Sequence, residues 1–152
     1  MKHKPIIVIG LILISLVVLL GYLVTRDRNN VNHYVQVDDC QIDKGSCQIA
    51  LDQNSTINID ILPRGIPSTE QLTISVNVEG DKLDETSASF EAIEINTTTP
   101  QYRLYEQTEN NFSGSGFLAF CSLSKQSWIT HLIVKKGDET WKVSLPFEKQ
   151  LN

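Results

Sequence analysis

The chain has one methionine, and it is Met1. Beyond the first residue no thioether is available, so a thioether copper site cannot be built there. Cysteine is nearly as scarce: Cys40, Cys47 and Cys121. No C-x-x-C occurs, which excludes a thioredoxin-type dithiol. The six residues between Cys40 and Cys47 are too many for the close ligand pairs of a structural zinc site. Aromatic residues make up 7% of the chain and are scattered, so no base-stacking platform is present. Basic clusters are also lacking. The net charge is -5, and the longest basic run is Lys135-Lys136, followed by Gly137-Asp138 as in a hairpin tip. Phosphate contacts need clustered Lys and Arg, so nucleic acid is not an expected partner.

Catalytic patterns are missing in the same way. There is no G-x-S-x-G and no glycine-rich phosphate loop. Asp38-Asp39 and Asp84-Glu85 read as solvated loop charges rather than acid–base pairs. His131 lies in "WITHLIV", sharing a strand face with Ile129 and Ile133, and the sequence pairs it with no nucleophile. The chain reads as a non-enzyme with no required cofactor.

One absence is positive information. From Pro5 to Thr25 there is no charged residue. A bilayer core takes about 20 apolar residues, and this stretch supplies them. Residues 1–25 are therefore expected to form a transmembrane anchor, with Ile6, Leu13, Val18 and Leu23 among its apolar residues. A cleaved signal peptide has a shorter apolar core of roughly 7–15 residues and a small-residue cut site. Gly21-Tyr22-Leu23-Val24-Thr25 offers no such pattern, so the anchor is expected to stay. Lys2, Lys4 and the amino terminus slightly outweigh Arg26 and Arg28, which favours the amino terminus inside. Cysteines beyond the anchor suit an oxidising compartment.

Residues 26–33 read as a linker, and period-two alternation dominates residues 34–152. In "QLTISVNVE", Leu72, Ile74, Val76 and Val78 alternate with Thr73, Ser75, Asn77 and Glu79. "TINIDIL" and "WKVSLPF" repeat the pattern, as half-buried antiparallel strands require. Strands are expected near 34–37, 47–51, 56–62, 70–79, 88–95, 101–106, 111–121, 127–135 and 140–147. Turn signals stand at Pro63–Pro67, Glu79–Asp81, Asn96–Pro100, Glu109–Asn111 and Lys136–Asp138. Such spacing implies an all-β sandwich. "FEAIEI" breaks the alternation, and a bulge would reconcile its two faces. Gly114 and Gly116 mark a bend or a close backbone approach, and Pro146 belongs at a sheet edge or strand end.

The cysteines leave alternatives open. "CQIDKGSC" can close on itself through the Gly45 turn, and the pairing of Cys40 with Cys47 is the favoured one. Either could instead pair with Cys121, because sequence does not fix connectivity. Cys121 is a buried core thiol, half of a bridge, or a reactive or metal-binding thiol with His131 as a weak second ligand.

The succession of anchor, "CQIDKGSC", "PRGIP", "LTISVNVEG", "FSGSGFLAFC" and then Trp128 resembles the small membrane-anchored FixH-like and YtkA-like periplasmic proteins of Gram-negative bacteria. The resemblance covers most of residues 40–147. It implies an immunoglobulin-like β-sandwich behind a single inner-membrane helix, and an association with copper delivery and cytochrome oxidase assembly. The chain departs from that group where "NTTTP" replaces a Met-rich element, where Phe120 replaces a proline, and where Ser127 replaces a methionine. The methionines a soft-metal role would use are absent. The expected function is accordingly a membrane-anchored periplasmic interaction module with a protein partner, an accessory in respiratory-complex or metal-centre assembly. The alternative is a thiol-based copper carrier using Cys121.

Overall fold

In a computed structural model of the chain, residues 12–22, 31–118 and 125–150 are described. The chain divides into two units, Met1–Asn30 and Val31–Asn152. In the first, residues 12–22 are helical, and every side chain of that stretch is exposed. Leu13 and Val18 are among them, at 59% and 66%. These eleven residues rise only about 16 Å at 1.5 Å each. Among the described residues, no helix is long and apolar enough to cross a membrane. Ile6 and Leu23, the other expected anchor residues, lie outside the described stretch.

The second unit is all β. Alternating apolar side chains can bury one face of a pleated strand, and the strands form where that alternation runs. They are β1 (His33–Gln36), β2 (Cys47–Ala50), β3 (Ser55–Leu62), β4 (Leu72–Gly80), β5 (Glu85–Ala92), β6 (Thr97–Thr98), β7 (Tyr102–Thr108), β8 (Asn111–Gly116), β9 (Lys125–Lys136) and β10 (Glu139–Gln150). Their order is β1-β10-β9-β5-β7-β8-β4-β3-β2, with β6 added to β5. Only β1 and β10 pair in parallel.

This is one sheet that curls. Ile57, Ile59 and Ile61 of β3 and Ile74 and Val76 of β4 share a core with Phe90 of β5, Leu132 of β9 and Val143 and Leu145 of β10. All are fully buried. Strands from opposite halves of the order thus line one interior.

The link between the halves is β7. Tyr102, Arg103 and Leu104 pair with β5, whereas Tyr105 to Thr108 pair with β8. A strand that changes partners must come close to the strand it leaves. The glycines flagged in the sequence make that approach possible. A Cβ on Gly114 would lie 2.7 Å from the Arg103 carbonyl oxygen and 2.7 Å from Leu104 Cδ2; one on Gly116 would lie 2.8 Å from the Tyr102 ring.

Two expectations change. "FEAIEI" contains no bulge: β5 stops at Ala92, and Ile93 and Ile95 enter a turn with exposures of 45% and 44%. The irregularity in pairing lies instead in β7, between Glu106 and Thr108. The strand expected over 111–121 ends at Gly116, and Cys121 lies outside the described residues. Pro146 behaves as expected. It follows Ser144, the last residue of β10 matched by β1, so its missing N–H falls on an edge without a ladder partner.

Two of the buried polar residues are threonines with no exposure at all. Thr86 and Thr130 are fully buried, facing Leu104 and Val134 in one case and Phe90 and Leu145 in the other. Neither hydroxyl has a hydrogen-bond partner among the described residues. A buried polar group without a partner costs stability, while valine keeps the shape. Thr130→Val and Thr86→Val are each expected to raise the unfolding free energy by about 1 kcal/mol in urea titrations. Gly114→Val should do the reverse, by roughly 1–3 kcal/mol, because the added carbons overlap β7.

Candidate functional site

Strand direction sorts the loops into two ends. The chain enters the β unit beside the β9–β10 turn, where Asn32 N donates to Thr140 O at 2.9 Å. At the opposite end lie the loop before β2, the loop between β3 and β4, the turn after β5 and the chain after β8.

The loop before β2 is closed covalently. Cys40 and Cys47 are disulfide-bonded, with Cα atoms 5.9 Å apart. The sequence favoured this pairing and left Cys121 as the alternative partner. Within the loop, Gln41 O accepts hydrogen bonds from Lys44 N at 2.9 Å and Gly45 N at 3.1 Å. Ile42 is fully buried and plugs the loop into the core. The "PRGIP" turn braces it from below, through Gly65 N donating to Asp43 O at 2.7 Å. That turn is fixed in its own right. Ile66 is fully buried at φ 45°, a region β-branched residues rarely adopt. Its carbonyl accepts a hydrogen bond from Lys149 Nζ at 3.1 Å. Burial holds the Lys149 ammonium below the usual lysine value.

A groove opens between this loop and the end of the sheet. Beside β10, the position occupied by β1 along Trp141–Ser144 is given up after Val37, whose N–H donates to Ser144 O at 3.0 Å. The chain then turns away into the disulfide loop. The resulting groove is about 710 Å³ and is lined by Asp38, Cys40, Gln41, Asp43 and Lys44 on the loop, Ser127, Trp128 and Ile129 on β9, Pro146, Phe147 and Glu148 on β10, and Ile93. That volume lies within the range of roughly 300–1,000 Å³ typical of ligand sites. Ile129 and Pro146 are cross-strand partners and form an apolar floor.

One rung further along the same face sits His131, which the sequence marked as a weak ligand candidate. It is buried, with Nε2 2.6 Å from Glu91 Oε2 and Nδ1 3.0 Å from Ser144 Oγ. Nε2 donates to the carboxylate, and the Ser144 hydroxyl can either donate to Nδ1 or accept from it. The two contacts tie β5, β9 and β10 together. Glu91 and Ser144 were not legible as partners, since they lie 40 and 13 residues from His131.

Among the described residues, no group of three or more His, Cys, Asp or Glu side chains is arranged to hold a metal ion. Trp128 is buried and donates from Nε1 to Gln126 Oε1 at 3.0 Å. The pair Asp84 and Glu85, read as solvated, is engaged: Asp84 Oδ2 accepts from Gly137 N at 2.6 Å, and Glu85 meets Lys135 at 3.4 Å.

The entry end carries a different cluster. Lys136 Nζ reaches Asp52 Oδ2 at 2.5 Å, Ser55 Oγ at 3.0 Å and Asp81 Oδ2 at 3.2 Å, and lies over the Trp141 ring. The hydrogen bond to Lys136 holds the Asp52 carboxyl below its ordinary value of 3.8. The same bond raises Lys136 above 10.5. The depressed carboxyl contributes stability above the ordinary value, lost as pH falls through the folded one; the raised ammonium contributes below 10.5, lost as pH rises through its own folded value. The hairpin tip read from Lys135-Lys136 thus pins the β2–β3 and β4–β5 loops at the entry end.

Comparison of the chain with protein-family models, curated proteins and solved structures gave no match.

The disulfide closes a loop of seven residues' separation. Chain-entropy reasoning assigns such a loop about 2.5 kcal/mol. The Cys40→Ala, Cys47→Ala double variant is expected to lose about that much stability in urea titrations, and its loop amides should exchange hydrogen faster than those of β4.

Proposed function

We propose that the protein is a non-enzymatic interaction module, tethered to a membrane by its amino-terminal segment, whose β unit docks a protein partner at the groove end. The observation that carries this reading is the groove itself. It is large, its wall is stapled by a disulfide, and exposed Ile93 lines it. Ile95 and Phe117, exposed at 44% and 49%, belong to loops of the same end. Exposed apolar side chains grouped at one end of a domain mark an interaction surface.

The strand order supports an immunoglobulin-like sandwich. β3-β4-β8-β7 and β5-β9-β10 reproduce the ABED and CFG pattern, with β1 and β2 added at the edges. The charge-free stretch from Pro5 to Thr25, helical and fully exposed over residues 12–22, supports a single membrane span. The proposed setting is the periplasmic face of an inner membrane. There the disulfide is maintained, and an accessory role in respiratory-complex or metal-centre assembly fits the sequence resemblance. A copper carrier would have to rely on Cys121, since Cys40 and Cys47 are bonded to each other and supply no thiolate.

The test has two parts. The full chain should remain in the membrane pellet after alkaline extraction, and protease added to spheroplasts should digest the β unit. A photo-crosslinking residue at Ile93 should give a discrete adduct that Ile129→Asp abolishes, while one at Gln53 should give none. Release into the supernatant would overturn the tether. Identical labelling from both positions would overturn docking at the groove.

A further inference from the structure

We infer that the groove accepts an extended segment of a partner protein carrying a lysine or arginine next to an aliphatic residue. This rests on the proposed docking role and specifies its chemistry. The groove is acidic at its rim and apolar at its floor. Asp38 and Asp43 stand on the disulfide-loop wall and Glu148 on β10, against Lys44 as the single cation among the lining residues. Asp43 is the informative member. It is half-buried, and its carboxylate has no hydrogen-bond or ion-pair partner among the described residues. A carboxylate with no internal partner beside an apolar surface is open to pairing with an arriving cation. Its position is not incidental, because its own backbone is tied to Gly65 at 2.7 Å.

The wider charge agrees. Residues 31–152 carry nine Lys and Arg against seventeen Asp and Glu. Such a field speeds the approach of a cationic partner and rejects an acidic one. The shape argues for an extended chain. The groove continues the position that β1 occupies beside β10, and Pro146 has the parity of Thr140 and Ser144, whose carbonyls accept from Asn32 and Val37. The Pro146 carbonyl therefore faces the groove as an acceptor for an added strand. Its missing N–H also limits how far pairing with another edge can run. In an extended segment alternate side chains face opposite ways. An aliphatic side chain can then settle on Ile129, Pro146 and Ile93 while its neighbour reaches Asp43.

The test uses the full chain in nonionic detergent and three fluorescent, acetylated peptides of equal length. One alternates Lys with Val; its twins carry Glu or Ser in place of Lys. Fluorescence anisotropy should show saturable binding of the Lys peptide, weakened by added salt. The Asp38→Asn, Asp43→Asn variant should bind it about tenfold more weakly, while Glu109→Gln, Asp138→Asn at the far end leaves binding unchanged. Equal loss from both variants would show attraction to net charge alone and overturn the site. Binding of the Glu or Ser peptide as tightly as the Lys peptide would overturn the cationic specificity and leave the docking role standing. No binding by any of the three would overturn the inference, and with Ile93 crosslinking as a separate readout, the two failures are told apart.

Discussion

The handover of β7 from β8 to β5 is the constraint on which the rest of the architecture depends. A flat sheet in this strand order would leave one face of every alternating strand in water. The curl turns those faces toward one another, and it runs through a single strand that pairs with β5 over its first residues and β8 over its last. Close approach at that point needs backbone without side chains, and Gly114 and Gly116 supply it. The core of Ile, Leu, Val and Phe side chains, together with Trp128, forms on the inside of this bend. Hydrophobic burial provides the driving force, and the glycines make the geometry that collects it possible.

The groove is a consequence of the same curled sheet meeting its own edge. β10 is twelve residues long and β1 is four, so β1 cannot cover its neighbour. Where it leaves, a chain must turn, and the disulfide loop is that turn. Ile42 and Cys47 sink into the core while Asp38, Asp43 and Lys44 line the groove. A single short segment is therefore both structural on its inner side and chemical on its outer side. The covalent closure matters because loops are otherwise among the least stable parts of a fold.

The two ends of the β unit handle charge differently. At the entry end Lys136 is surrounded by Asp52, Asp81 and Ser55, and the charges are internally matched. At the groove end Asp43 lacks such a match among the described residues, although Lys44 is its neighbour in sequence. Matched charges hold loops; an unmatched one beside an apolar floor is what the proposed docking would use. His131 belongs to the first kind despite its suggestive neighbours, for its bonds to Glu91 and Ser144 join three strands.

Much of this was legible along the chain. Period-two alternation placed β3, β4 and β10, because the pleat is a local property that each residue pair enforces. Turn residues placed the β7–β8 and β9–β10 connections for the same reason, and the uncharged stretch before Arg26 stands out from composition alone. The alternation misled at "FEAIEI", where the strand ends at Ala92 and Ile93 and Ile95 stay outside, and the strand expected over 111–121 ends at Gly116. Local pattern says which residues could be buried, not where a strand runs out of neighbours. Pairing order and the company of His131 arise between residues far apart in sequence. They depend on which strands lie side by side, and that is settled by how the whole inner face closes.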